Sequence, residues 1–331
     1  VAKPIDIDHP AVGAGHVFIP GNADSLAAAA LLVSRSPWAS WVMLAREHRL
    51  PILLERPLSE AAREIWCLGY SGTGHPLLPP ALEAHVTHRP LHWLTTASGR
   101  LTAAAAEVPG VEFEAMPGGS LIPLVQRHLS GRWDEDDRAY ERLGYILGQY
   151  RGAKPTDFEL TLVNLLHAAS VQVRNHENLG AEFVRALAAA SPGRWAGLEM
   201  LQRLARDGES LIRKARQVLV DHEPERGQSH GPALWIVPPG LIRRGTHGKA
   251  VAARAYARQA PAALIERLDR GFTKVWIVLP RHSEDRWFDI LQVMASFSSD
   301  FAHTGLRGAG AIPADEVEEF ANALWPVLAK T

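Results

Sequence analysis

Short apolar runs, each followed by a polar or glycine turn and then by a helix-forming stretch, recur through the first half of this chain. That alternation limits the folds open to it. "HVFIP" (16–20) is brief, apolar and rich in strand formers, and it runs into Pro20-Gly21 before "DSLAAAALLVSRS", a helical segment of Ala and Leu. "SWVMLA", "IWCLGY" and "LHWLTT" repeat the strand signal, and "EFEAM" gives a short fifth. Between them, "PLSEAAREI" reads as a short helix with Ser59 as its N-cap, and "SGTGH" as a glycine turn. Strands that alternate with helices imply a mostly parallel sheet with helices on both faces, so the first part of the chain is expected to be α/β.

From "GGSLIPLVQRHL" onward the pattern is helical, through "DEDDRAYERLGYILGQY" and "PTDFELTLVNLLHAASVQVRN". Residues 192–228 form a long charged amphipathic stretch. Trp195, Leu198, Leu201, Leu204, Leu211 and Ile212 recur there at roughly helical spacing, before the polar "EPERGQSHGP". "PALWIVPP", "HGKAVAARAYARQ", "KVWIVLP" and "WFDILQVMAS" then make a second, smaller α/β unit. It closes with "GLRGAGAIPADEVEEFANALWPVLAK", a glycine turn leading into a helix with an acidic first turn. With 331 residues, 47% of them hydrophobic, the chain is long enough for two cores. The expected division is an α/β domain at 1–190, a helical linker at 191–228 and a C-terminal domain at 229–331.

No apolar run reaches the ~18 residues of a membrane span. The first ten residues carry acidic groups and no apolar core, unlike a signal peptide. The one cysteine, Cys67, lies in the apolar "IWCLGY" and is expected to pack as a small hydrophobe. A cytoplasmic protein with no membrane partner is expected. The net charge of −1 hides an asymmetry. Residues 1–190 hold 16 Lys/Arg against 20 Asp/Glu, a net −4, and residues 230–310 hold 11 against 6, a net +5. The basic segment suits phosphates, although an ordinary solvated surface accounts for it equally well.

Four groups of residues carry the chemistry. Asn22 and Asp24 follow the first strand, where open α/β sheets place functional loops. Asp24 there suits a metal, a phosphate-bound water or a helix cap, and Asp24 or Ser25 can cap the helix that follows. Ser71, Gly72, Thr73 and Gly74 can turn backbone N–H groups toward an anion. The turn hints at a nucleophile elbow at Ser71, but Thr73 stands where its last glycine belongs, and a tight turn with no ligand accounts for it better. His85, His88 and His92 resemble a zinc cluster by count, but Arg89-Pro90 breaks any helix that would align them. Arg243, Arg244 and Arg307 lie beside glycine turns and suit bidentate phosphate contacts, Arg307 in "GLRGAG" with Gly308 and Gly310.

In that order, these pieces resemble the DHH phosphoesterase superfamily, which includes RecJ-type exonucleases, over nearly the whole length. The family opens with a strand and H-x-N-P-D-x-D-G. In "FIPGNADSLAAAALL" the matching positions are Phe18 for the His, Asn22 and Asp24 for the aspartates, and Ser25 for the Gly. Gly69 falls at the family's next aspartate. Thr95, Thr96 and Ala97 of "RPLHWLTTAS" fall at the naming Asp-His-His, and Tyr150 at the final aspartate. "HTGLRGAGAIPADEVEEF" is similar to the GGGHxxAAG loop and helix of the DHH-associated domain. Gly305 stands there at the His, and Gly308, Ala309 and Gly310 at the A-A-G end.

An active member holds two divalent metals, commonly manganese, on carboxylates and imidazoles. By this correspondence only Asp24 remains, beside the neutral amide of Asn22. The resemblance therefore implies a pseudoenzyme that keeps the scaffold and binds single-stranded nucleic acid or a nucleotide in the cleft between its domains, with no cofactor. Two alternatives stand beside it. One is an active Mn- or Mg-dependent phosphodiesterase or exonuclease whose ligands include Asp24, His75, His88 and His303. The other is a scaffold or assembly protein, and a homo-oligomer is compatible with all three.

Overall fold

The computed structural model describes residues 15–36, 41–45, 49–55, 63–70, 78–86, 89–96, 105–117, 119–129, 134–148, 154–176, 178–227, 230–268, 271–297, 301–304 and 306–330. Two compact units divide the chain, Val1–Asp207 and Gly208–Thr331.

Strands β1 (His16–Ile19), β2 (Trp41–Leu44), β3 (Ile65–Leu68), β4 (Leu91–Thr95) and β5 (Val111–Ala115) form the sheet of the first unit. All pair in parallel, in the order β2-β1-β3-β4-β5. This is the α/β parallel sheet that the alternation predicts. The inner strands read as unbroken apolar runs because both of their faces are covered. Phe18, Cys67 and Trp93 lie at one register level and face a core completed by Leu50 and Leu54 of α2 (Leu50–Glu55) and Ala81 and Leu82 of α3 (Leu78–Val86). Cys67 is buried, and burial pushes its thiol well above the usual range, in keeping with a packing role.

The alternate residues, Val17, Trp66, His92 and Glu112, share the other face. Helices α1 (Ala23–Arg35) and α4 (Leu121–His128) cover it. The small residues of "ADSLAAAALL" let α1 approach closely, and Ala27 through Leu32 are fully buried. Helices α5 (Glu135–Leu147) and α6 (Asp157–Asn175) both begin with capping boxes, on Asp134/Asp137 and Thr156/Glu159. Then follow α7 (Asn178–Ala188), α8 (Pro192–Trp195) and α9 (Glu199–Asp221). Leu201, Leu204 and Ile212 of α9 are buried, as their spacing predicts. Most of the expected Ser59 helix lies outside the described residues, whereas α2 precedes it unannounced.

The second unit is a smaller mixed sheet of β6 (Ala233–Val237), β7 (Ala262–Glu266), β8 (Phe272–Val278), β9 (Ala302–Thr304) and β10 (Arg307–Pro313), in the order β6-β7-β8-β10-β9. Helices α10 (His247–Arg258), α11 (Trp287–Phe297) and α12 (Val317–Ala329) complete it. One strand was not anticipated from the sequence, and one expectation is corrected. "AALIE" is built of helix formers yet forms β7, because pairing between β6 and β8 buries it and overrides local propensity. "RGAGAIP" is not a glycine turn but a seven-residue strand, paired to β8 on one side and β9 on the other.

Candidate functional site

The carboxyl ends of β1, β3 and β4 bring the first candidates together. Asn22 is the N-cap of α1 and accepts from the Ser25 N–H at 2.7 Å. That corrects the assignment of the cap to Asp24 or Ser25. Asp24, one turn in, reaches a different helix. Its carboxylate accepts from the Ser120 hydroxyl and, at 2.9 Å, from the Leu121 N–H at the start of α4. Ser120 is in turn the N-cap of α4. Burial pushes the Asp24 carboxyl up to about 6, against the two hydrogen bonds that favour its charged form.

Gly69 closes β3 with φ +81, a conformation that disfavours any L side chain. A Cβ there would stand 2.9 Å from Leu121 Cδ1 and 3.4 Å from Ser25 Cβ. The start of α4 thus fills the space beside Gly69. Thr95, at the end of β4, is buried. Among the described residues at these strand ends, Asp24 is the sole carboxylate. One carboxylate held by two donors, an amide engaged in capping and a glycine do not fit a pair of hard divalent metals, which need several charged oxygens. Ser71, Gly72, Thr73, Gly74, His75, His88, Ala97, Tyr150 and Gly305 lie outside the described residues, as does the side chain of His85.

In the second unit, Arg243 and Arg244 sit in the loop between β6 and α10, with Arg243 exposed. The loop is tied down from both sides at Glu266, the last residue of β7. The Gly240 N–H donates to that carboxylate at 3.0 Å, and His247 Nε2 lies 3.3 Å from it. Arg307, also exposed, opens β10. The register runs Ala233–Ala262–Val278–Arg307 across the sheet, so Arg307 belongs to the end where β6 starts. The structure therefore places Arg307 at the opposite end of the sheet from Arg243 and Arg244. Gly308 packs against aromatic rings, since a Cβ there would collide with Phe301 and Trp287. His303 of β9 stacks on the same Trp287 ring. Gly310 lies farther along β10, opposite Val275.

One cluster escaped the sequence reading. His92 of β4 faces Glu112 of β5 and His128, the last residue of α4. The only signal was weak: "VEFEA" puts acids at alternate positions of a strand that follows a histidine-bearing one. Each of the three residues is the second or last of its element, toward the amino ends of the strands, away from Asp24.

No protein-family sequence model matches the chain, and no curated protein is significantly similar to it in sequence. Its fold does have solved counterparts. RecJ from Thermus thermophilus in complex with Mn2+ superposes with a TM-score of 0.60 and 14% identity, covering 96% of this chain and 52% of that one. The Mg2+ complex from the same source gives 0.52, 13%, 96% and 50%. A DHH domain described as belonging to a family of ribosomal proteins gives 0.50, 10%, 96% and 87%. The chain spans about half the length of the Thermus RecJ. In both the parallel first sheet and the mixed second sheet, this chain has a RecJ-like fold.

Proposed function

We propose that this chain is a RecJ-like protein without metal-dependent phosphoester hydrolysis that binds single-stranded nucleic acid through its basic second unit. The observation that carries the loss of catalysis is the use of Asp24. The carboxylate standing where the family would hold metal instead accepts two hydrogen bonds from the start of α4. Gly69 supports the same reading, because its φ and the nearness of Leu121 leave poor room for an acid. Binding is supported by the net +5 of residues 230–310 and by exposed Arg243 and Arg307. Arginines at two separate places suit a chain of phosphates better than a mononucleotide, which reaches only one of them.

The test has two arms. Purified protein incubated with a short single-stranded oligonucleotide and Mn2+ is expected to release no shorter products. Hydrolysis that disappears in Asp24→Ala would overturn the reading in favour of an active phosphodiesterase. Fluorescence anisotropy on the same oligonucleotide is expected to show affinity falling steeply with salt, with a log–log slope of roughly −2 for three arginine contacts at ~0.7 each. Binding that salt does not weaken, or none at all, would overturn it and leave a scaffold role.

A further inference from the structure

Three side chains from three elements converge on one small volume at the amino ends of the first sheet. His92 Nδ1 lies 2.8 Å from Glu112 Oε2, and His128 Nδ1 lies 3.9 Å from the same oxygen. One donor atom from each residue falls within 4.8 Å of the other two, and among the described residues this is the one grouping of its kind. His92 is 8% exposed, and its Nδ1 faces the Glu112 carboxylate at close range. The rings are held in place as well. Trp66 stacks on His92 at 3.9 Å, 18° from parallel, and His128 meets both rings edge-on.

We propose that His92, Glu112 and His128 form a binding site for a divalent transition-metal ion of the zinc class, separate from the carboxyl-end position the fold family would use. Two imidazoles and one carboxylate match the usual zinc donor set, and nitrogen donors disfavour magnesium or calcium. Tetrahedral zinc with bonds of about 2.0–2.1 Å sets its ligand atoms roughly 3.3 Å apart. The observed 2.8 and 3.9 Å straddle that spacing. Metal-bound imidazoles characteristically present their other nitrogen to a carboxylate. His128 Nε2 lies 3.2 Å from Glu114 Oε1, within reach of such a partner. Glu112 is 56% exposed in its side chain, which leaves the ion a route in and room for water in the fourth position. The ion would join edge strand β5 and the end of α4 to β4. The inference does not depend on the nucleic-acid reading.

Full-length protein stripped with a chelator and titrated by calorimetry is expected to take up one Zn2+ per chain, at least a hundredfold tighter than Mg2+. Glu112→Gln and His128→Gln should each weaken Zn2+ at least tenfold, and His222→Gln, an exposed histidine of the second unit, should not. Urea midpoints measured without metal show whether each variant is folded. Should His92→Gln fail to fold, the other two carry the test. Co2+ substitution gives a second readout, a visible absorption band expected in the parent and lost in Glu112→Gln. Equal Zn2+ affinity in the parent, Glu112→Gln and His128→Gln would overturn the proposal, as would the absence of a 1:1 site.

Discussion

Asp24 illustrates how a side chain can serve an element other than its own. At the head of α1 it caps not its own helix but the start of α4. Asp24→Ala leaves the Leu121 N–H and Ser120 hydroxyl without their acceptor and is expected to cost about 1–3 kcal/mol, read from the urea midpoint. Asp24→Asn keeps one acceptor and should cost less. The folded pKa of about 6 lies above the ordinary 3.8, so the folded state holds the proton more tightly. The contribution is full below about pH 4 and is lost as pH rises through about 6. The advantage of the parent over Asp24→Asn should therefore shrink from pH 4 to pH 7. His16 behaves in the opposite sense. Burial, and then the positive charge of Arg89, lower its pKa from 6.5 to about 4. Unfolded chains take up the proton first, so stability should fall as pH drops from about 6.5 toward 4. His16→Phe, which keeps the ring beside Trp41, is expected to flatten that part of the acid slope in denaturation measured across the range.

Helix α4 is the element on which most of the site argument turns. Its first residues are held by Asp24 at the carboxyl ends of the strands, and its last residue, His128, reaches the His–Glu cluster at the amino ends. Its packing against Gly69 also occupies the space beside the end of β3. The α7–β2 contact shows the same closeness elsewhere in the sheet. Gly180 of α7 faces Leu44 of β2, and an added methyl would overlap the Leu44 side chain. Alanine is ordinarily the better helix former by about 1 kcal/mol. Here overpacking is expected to dominate, so Gly180→Ala should destabilise the chain by about 1–3 kcal/mol. Adding Leu44→Ala should recover part of that loss, a coupling that a double-mutant cycle in urea would measure. Additive losses would show that the two residues do not meet.

At the scale of the whole molecule, the charge separation between the two parts of the chain and the split placement of the arginines make one statement about the ligand. If Arg243 and Arg307 each hold phosphates, affinity should climb with oligonucleotide length until both positions are spanned. A mononucleotide should bind weakly. Arg243→Ala combined with Arg244→Ala should flatten the salt slope by about 1.4, and Arg307→Ala by about 0.7. Anisotropy on a length series checks both. A mononucleotide that binds as well as a long strand would point to a single-phosphate pocket instead.

The alternation of apolar runs with helical stretches determined the class of the first unit and all five of its strands. Those features depend on side-chain period and on turn chemistry within a few residues. That Asn22 and Gly69 bring no charged oxygen to the strand ends was also legible, because they are neutral whatever surrounds them. What Asp24 does instead was decided only by tertiary structure, since its partners Ser120 and Leu121 come from another layer. Burial between neighbours made a strand of "AALIE", and pairing on two edges made one of "RGAGAIP", against their local preferences. The meeting of His92, Glu112 and His128 lies beyond any local reading. A parallel sheet brings side chains together across strands that the chain visits many residues apart, and only the register between those strands decides which ones meet.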